Sequence, residues 1–198
     1  MKSLYNKIID NPEIAEVLTD YFDFEILGVP SYNTESYYFN VEDTVKVIAQ
    51  DAAGGVFAFV GSDDEENLPI IYISSEGQAG KVGRNFKEFI SLMVSCPNWQ
   101  DLLKFSGNGQ LSEMVKALSF LEDELLEDFP NIEDVKKTVR SELSIDIIFN
   151  PADVLFMTMK SEPKIVVIDN DGDELESLFN SFTVMDNPEW RNKLNNIF

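Results

Sequence analysis

Five residues near the end of the chain, Asp169-Asn170-Asp171-Gly172-Asp173, have the types and spacing of an oxygen-ligand set for a hard cation. A calcium loop of the EF-hand kind takes side-chain oxygens at positions 1, 3 and 5, a glycine at 6 and a bidentate glutamate at 12. Counted from Asp169, the acids Asp171 and Asp173 fall correctly. Glu174, however, stands at the glycine position and Asn180 at the glutamate position. The same five residues suit a hairpin turn, because Asn, Asp and Gly tolerate left-handed backbone and hydrogen-bond locally. The hairpin is the expectation. A calcium-binding protein or carboxylate-based enzyme using Asp169, Asp171 and Asp173 is the alternative.

A second candidate is Gly77-Gln78-Ala79-Gly80-Lys81-Val82-Gly83-Arg84, which follows a strand-like run and precedes a helix, the place where phosphate-cradling loops occur. A Walker loop needs four residues between its first glycine and Gly-Lys, followed by a hydroxyl for magnesium. Here Gln78 and Ala79 alone intervene, and Val82 replaces the hydroxyl. A glycine-bearing strand-to-helix connection is therefore expected, with no cofactor. Other chemistry is removed by composition: the chain has no histidine and one cysteine. Ser-His and Cys-His nucleophile pairs and His-ligated zinc or haem are excluded. So are a cysteine zinc site and an internal disulfide. Cys96, beside Pro97 and without close basic neighbours in sequence, reads as a small buried hydrophobe. Among 36 acidic residues, no two are singled out by spacing as a glycosidase acid and base.

The 198 residues carry 36 acids against 15 bases, a formal charge of −21. Such a surface repels nucleic acid and anionic lipid and favours a basic protein partner. Acidity also serves solubility alone. With 44% hydrophobic and 12% aromatic residues, the chain is expected to form a packed core rather than a disordered one. Residues Met1–Asp10 lack an export signal, and no run of about 20 apolar residues could span a bilayer. A reducing, cytoplasmic setting fits the single cysteine.

The elements that must position these residues follow from caps and periods. Asn11-Pro12-Glu13 and Asn187-Pro188-Glu189 read as helix starts. Val56–Val60 and Pro69–Ile73 read as an antiparallel strand pair around the acidic loop Gly61–Asn67, which holds Asp63, Asp64, Glu65 and Glu66. Asp51–Gly55 is a turn, and Val41–Ala49 is a strand or a short helix. Asn85, with Glu88 three residues on, opens a helix bearing Phe86, Phe89, Ile90 and Met93. Trp99 begins a shorter one. A long amphipathic helix from Leu111 to Phe129 carries Glu122, Asp123, Glu124, Glu127 and Asp128 outward, and Asn131 opens another. Lys164–Ile168 and Glu174–Leu178 flank the Asp169 turn as paired strands. Strands in clusters separated by helices, without βαβα alternation, predict an α+β fold: an antiparallel (mixed) sheet of hairpins packed against several helices. No linker composition divides it, so one domain over 1–198 is expected, with a helical segment at about 109–145. Trp99 and Trp190 read as core anchors, or as hot spots for a partner if exposed.

Several of these segments, Gly54-Gly55-Val56-Phe57-Ala58-Phe59, Ile71-Tyr72-Ile73-Ser74-Ser75-Glu76-Gly77-Gln78-Ala79-Gly80, Asn85-Phe86-Lys87-Glu88-Phe89 and Pro97-Asn98-Trp99, together resemble the SMI1/KNR4 (SUKH) superfamily. The segment Ile165–Glu176 is similar to a terminal hairpin of such proteins. The resemblance covers about half the chain and implies an α+β fold and a non-enzymatic role. Many bacterial members are immunity proteins that bind and neutralise a cognate toxin. A basic, nuclease-like toxin domain is then the expected partner. The acids at Asp63, Asp64, Glu65, Glu66, Glu76, Glu122, Asp123, Glu124, Glu127 and Asp128, with Trp99, are the candidate contact residues.

Overall fold

Three Asn-Pro pairs start helices, Asn11-Pro12, Asn150-Pro151 and Asn187-Pro188. Asn11 accepts the Ile14 amide, and Asn187 accepts the amides of Glu189 and Trp190, leaving the proline at the first helical position where no N–H is needed. The computed structural model describes residues 2–195. Its helices are α1 (Leu4–Ile9), α2 (Pro12–Phe22), α3 (Phe86–Ser95), α4 (Trp99–Lys104), α5 (Leu111–Asp128), α6 (Ile132–Leu143), α7 (Pro151–Met159) and α8 (Pro188–Asn195). Its strands are β1 (Glu25–Ser31), β2 (Asn40–Val41), β3 (Val45–Gln50), β4 (Val56–Val60), β5 (Ile70–Ile73), β6 (Gln78–Gly83), β7 (Val167–Ile168) and β8 (Glu176–Ser177).

The main sheet has the order β1-β3-β4-β5-β6-β8. It is an antiparallel meander to β6, after which β8 adds in parallel. β2 and β7 pair separately as a short antiparallel ribbon. Alternation along β4 sends Phe57 and Phe59 to one face and Val56, Ala58 and Val60 to the other. Both faces are covered, so neither reads as polar. On the helix side Phe57 meets Phe24, Tyr72, Phe89 and Trp99 at ring separations of 4.9–6.1 Å. On the other side Val45, Val47, Ile71 and Ile73 pack under Phe39 and Val167 from the ribbon. The fold is thus α+β, as expected.

Four local expectations change. Gln78–Gly83 is a strand, not a connecting loop. Its glycines mark close approach: a Cβ on Gly80 would stand 2.7 Å from the Met159 methyl, and one on Gly83 2.6 Å from the Phe89 Cβ. Lys81 in that strand is buried, donating to the carbonyls of Ser161 (2.6 Å) and Pro163 (2.9 Å), so it belongs to the core of the edge and not to a phosphate site. The ambiguous Val41–Ala49 run is strand from Val45. The C-terminal hairpin is only one bridge deep (Ile168 with Glu174), because its second arm leaves to join β6. Helices α1 and α7 add to the predicted set. The 109–145 helical segment resolves into α5 and α6.

α3 is capped as its sequence predicts, with Asn85 accepting the Glu88 amide at 2.9 Å. Glu88 reaches one residue further back than a capping box, accepting from the Arg84 backbone at 3.0 Å and its side-chain Nε at 2.7 Å. Burial opposes its ionisation, but these bonds and one from Thr158 outweigh it and hold its pKa below the ordinary carboxylate value. Cys96 is buried, and loss of solvent pushes its thiol up to about 12, so it packs as a hydrophobe. α8 is anchored by Trp190, whose ring stacks on Phe120 (5.2 Å) and tilts against Phe105 (4.5 Å).

Candidate functional site

The acidic residues divide into carboxylates that build the fold and carboxylates that do not. Asp64 caps a 3-10 turn over Glu65–Asn67, Glu65 pairs with Lys46, and Glu66 accepts the Leu4 amide at the start of α1. Asp64 and Glu66 share a hollow with Lys2, Lys7 and Lys87 beside Leu143 at the C-terminal end of α6. That loop is therefore tied to α1 and β3 through its acids, and Asp63 is exposed beside it. Glu124 accepts a hydrogen bond from the Trp190 indole, which fastens α8 and removes Glu124 from a free docking role.

Glu122, Asp123, Glu127 and Asp128 differ. All four are exposed on the last turns of α5, and none is ion-paired among the described residues. Lys2, Lys46, Arg84, Lys87, Lys116, Lys136 and Lys164 are each held in an ion pair, none of them with these four acids. Two apolar side chains lie among these acids, Leu126 (48% exposed) and Phe129 (36% exposed). Asp134 continues the acidic face at the start of α6, while Glu133 beside it pairs with Lys136 (2.8 Å).

This corner is joined to a cleft through the end of α2. The Phe129 ring lies 5.5 Å from Tyr21, whose hydroxyl accepts from Asn131. Two residues on, Asp23 takes the left-handed conformation that ends α2 and accepts the Ala52 amide at 2.8 Å. Ala52 belongs to the β3–β4 turn, where the buried Asp51 accepts from the Gly55 amide (2.7 Å), the Tyr72 hydroxyl (2.6 Å) and Gln100 (3.2 Å). Gly55 is required there, because a Cβ would stand 2.5 Å from the Tyr72 hydroxyl oxygen. Burial first, then the bond to Asp51, raises the Tyr72 pKa well above the ordinary phenol value; Asp23 and Glu76 add to it.

Tyr72, Trp99 and Gln100 line a cleft of about 390 Å³, closed by Glu76 on the β5–β6 turn and by Asn180 and Phe182 from the C-terminal segment. Trp99 is only 2% exposed, a core anchor whose edge forms part of this wall and not an exposed hot spot. Glu76 is exposed at the rim. Asp51, Tyr72 and Gln100 were not singled out by sequence; the signal available was an aspartate four residues before the second of two adjacent glycines.

The Asp169 turn is a hairpin turn. Asp169 Oδ1 accepts the amides of Asp171 and Asp173, both at 2.9 Å, so the ligand-like carboxylate is turned onto its own backbone. Among the described residues no three His, Cys, Asp or Glu side chains are grouped to hold a metal ion, and no helix is long and apolar enough to cross a membrane. The chain matches no family model, no curated protein and no solved structure.

Proposed function

We propose that this chain is a non-enzymatic, acidic protein-binding module that docks a basic protein partner, in its most specific form a cytoplasmic immunity protein covering a cognate, nuclease-like toxin domain. The observation that carries this reading is the unpaired carboxylate cluster Glu122, Asp123, Glu127 and Asp128 with Leu126 and Phe129 exposed within it. Charge without apolar area gives steering but little adhesion, and apolar area without charge gives no selectivity. Their combination is what a docking patch needs. Fields of this kind raise association rates by roughly 10- to 1,000-fold at low salt. A nuclease domain must be basic to hold phosphates, which makes it a fitting counterpart. The sequence resemblance to the SMI1/KNR4 superfamily supports the same class of role.

Affinity capture from the native host tests this at low and high salt. The wild-type chain should retain a basic protein at low salt and release it at high salt. A variant carrying Glu122→Gln, Asp123→Asn, Glu127→Gln and Asp128→Asn should retain it poorly. Equal retention by the variant, or no basic protein at either salt, contradicts the proposal.

A further inference from the structure

We infer that the bulge in β1, with the loop behind it, is a second docking point for the basic protein partner, one that inserts Val29 and Tyr32 into an apolar pocket rimmed by Lys or Arg on that partner. This rests on the docking reading above and adds an anchor that the α5 corner does not supply.

Backbone pairing explains why these side chains stand out. Ile26 of β1 lies opposite Ala49 and Ser31 opposite Val47, so the residues from Leu27 to Pro30 bow away from the ladder as a bulge. Leu27 stays on the sheet, half-buried against the cluster around Val47, with its carbonyl accepting from the Tyr5 hydroxyl at 3.0 Å. Val29 is thrown outward and is 85% exposed. Tyr32 (66%) follows it and Tyr38 (73%) ends the same loop, so among the described residues three of the four most exposed large hydrophobic side chains lie between 29 and 38. The loop is pinned: Ser31 Oγ accepts the Asn33 amide at 3.2 Å, and the Thr34 hydroxyl donates to Asn40 Oδ1 at 3.3 Å. Side chains held on such a loop lose little freedom on docking, and tyrosine is a residue in which binding energy concentrates. β1 is the terminal strand of the sheet, but the bulge and Pro30, which has no N–H, oppose an added strand. The occupant is therefore a surface with a pocket.

Charge selects that surface. Between Lys7 and Lys46 the chain holds no Lys or Arg and nine acids. Glu13, Glu16 and Asp20 on α2, Glu25 on β1, and Glu42 and Asp43 before β3 are exposed, and none is ion-paired among the described residues. Of the bases that flank this stretch, Lys2 is paired with Asp10 and Lys46 with Glu65, while Lys7 lines the hollow that holds Asp64 and Glu66. A second copy of the chain would bring acid against acid, and an anionic membrane would be repelled. The stretch also leads away from the docking corner: the Tyr21 ring lies 5.5 Å from Phe129, and Tyr21 to Val29 is at most about 28 Å of chain. An interface of standard size, about 800 Å² per partner and so about 30 Å across, reaches from one to the other.

The test uses the whole ¹⁵N-labelled chain titrated with the peptide acetyl-KLKFKLK-amide, which alternates lysine with apolar side chains. The controls are acetyl-KSKSKSK-amide, equal in charge, and acetyl-ELEFELE-amide, equal in apolar character. Saturable amide shifts are expected at Gly28, Val29, Ser31 and Tyr32, with a dissociation constant on the order of 0.1–1 mM for so short a probe. The serine peptide should bind about tenfold more weakly, and the glutamate peptide should not bind. Val29→Ser combined with Tyr32→Ser should cost the lysine–leucine peptide about tenfold. Both side chains are exposed, so the variant's unchanged spectrum elsewhere serves as its folding control. Absence of shifts at Gly28–Tyr32, equal binding of the serine peptide, or equal binding by the variant overturns the second docking point. If the peptide seats there but no basic protein is captured from the host, the second docking point stands and the docking function falls. If capture is lost on neutralising the four α5 acids but is unchanged in the Val29→Ser, Tyr32→Ser variant, and the peptide does not seat, the second docking point alone falls.

Discussion

One five-residue turn recurs with an aspartate in the lead at Asp51–Gly55 and Asp169–Asp173, and with a serine in the lead at Ser74–Gln78; the two aspartate-led copies invite comparison. In each, the first residue's N–H donates to the carbonyl of the fifth at 2.9 Å, and the fourth residue's N–H donates to the carbonyl of the first, at 3.2 and 3.3 Å. In each, the leading aspartate Oδ1 accepts the fifth amide, at 2.7 and 2.9 Å. The fourth residue is glycine in both, with φ of 89° and 90°. Each is flanked by a paired couple, Gln50 with Val56 and Ile168 with Glu174. The local bonding is nearly the same, the Asp169 turn adding a bond from the Asp171 amide (2.9 Å), yet that turn is an exposed bend and the other is tied into the core through a buried aspartate. The difference is tertiary: Tyr72 and Gln100 reach the second oxygen of Asp51, and among the described residues no other side chain is hydrogen-bonded to Asp169. The more acidic turn, which looked the more chemical in sequence, is the less integrated one.

The comparison can be broken at the fifth position first. Gly55→Ala forces a Cβ to 2.5 Å from the Tyr72 oxygen and 2.6 Å from Asp51 Oδ2, and should cost about 2–4 kcal/mol in urea unfolding. The matching Asp173→Ala should stay within about 0.5 kcal/mol. Next, Asp51→Ala leaves a buried hydroxyl, an amide and a side-chain donor unsatisfied and should cost about 2–3 kcal/mol, against about 1 kcal/mol or less for Asp169→Ala, where water replaces the carboxylate. Equal losses in either pair would mean that the two turns are energetically alike and that the cleft network contributes nothing.

The fourth position sharpens the comparison from the other side. Gly54→Ala and Gly172→Ala meet open space but impose a side chain on left-handed backbone, so each should cost about 1–2 kcal/mol and the two should agree. A third backbone-capping carboxylate, Glu88, supplies a case with a guanidinium partner, and its effect should be the smallest. Its folded pKa lies below the unfolded value of about 4.5, so its contribution is present above that pH and is lost as the pH falls through the folded pKa. Acid unfolding of Glu88→Gln should therefore show a flatter loss below about pH 4.5 than the wild type, while stability near neutrality falls slightly.

Much of the scaffold was legible because it rests on local rules. The Asn-Pro starts, the Asn85 cap, and strands β4 and β5 need only their own residues. What escaped notice depends on distant neighbours. One exception was local: Asn150-Pro151 opens α7 as Asn11-Pro12 opens α2, but the run behind it (Val154, Leu155, Phe156, Met157) is apolar almost all round and shows no helical stripe. β6 has glycines where Met159 and Phe89 press against it, so it reads as a loop. β7 and β8 are two residues each and exist because β2 and β6 lie beside them. The site divides in the same way. Glu76, Trp99 and the α5 acids stand out by type, but Glu124 turns out to hold Trp190, and Asp64, Glu65 and Glu66 hold α1 and β3. Asp51, Tyr72 and Gln100 converge from three elements, and no spacing in the chain could announce that meeting.

The central claim is that Glu122, Asp123, Glu127 and Asp128 form a docking surface for a basic protein. Its most direct test is the association rate of the captured partner measured against ionic strength, for the wild type and for the variant with all four acids neutralised. The account predicts a wild-type rate that falls steeply with salt and a variant that is slower at low salt with a much shallower slope. Two superimposable salt profiles would contradict it.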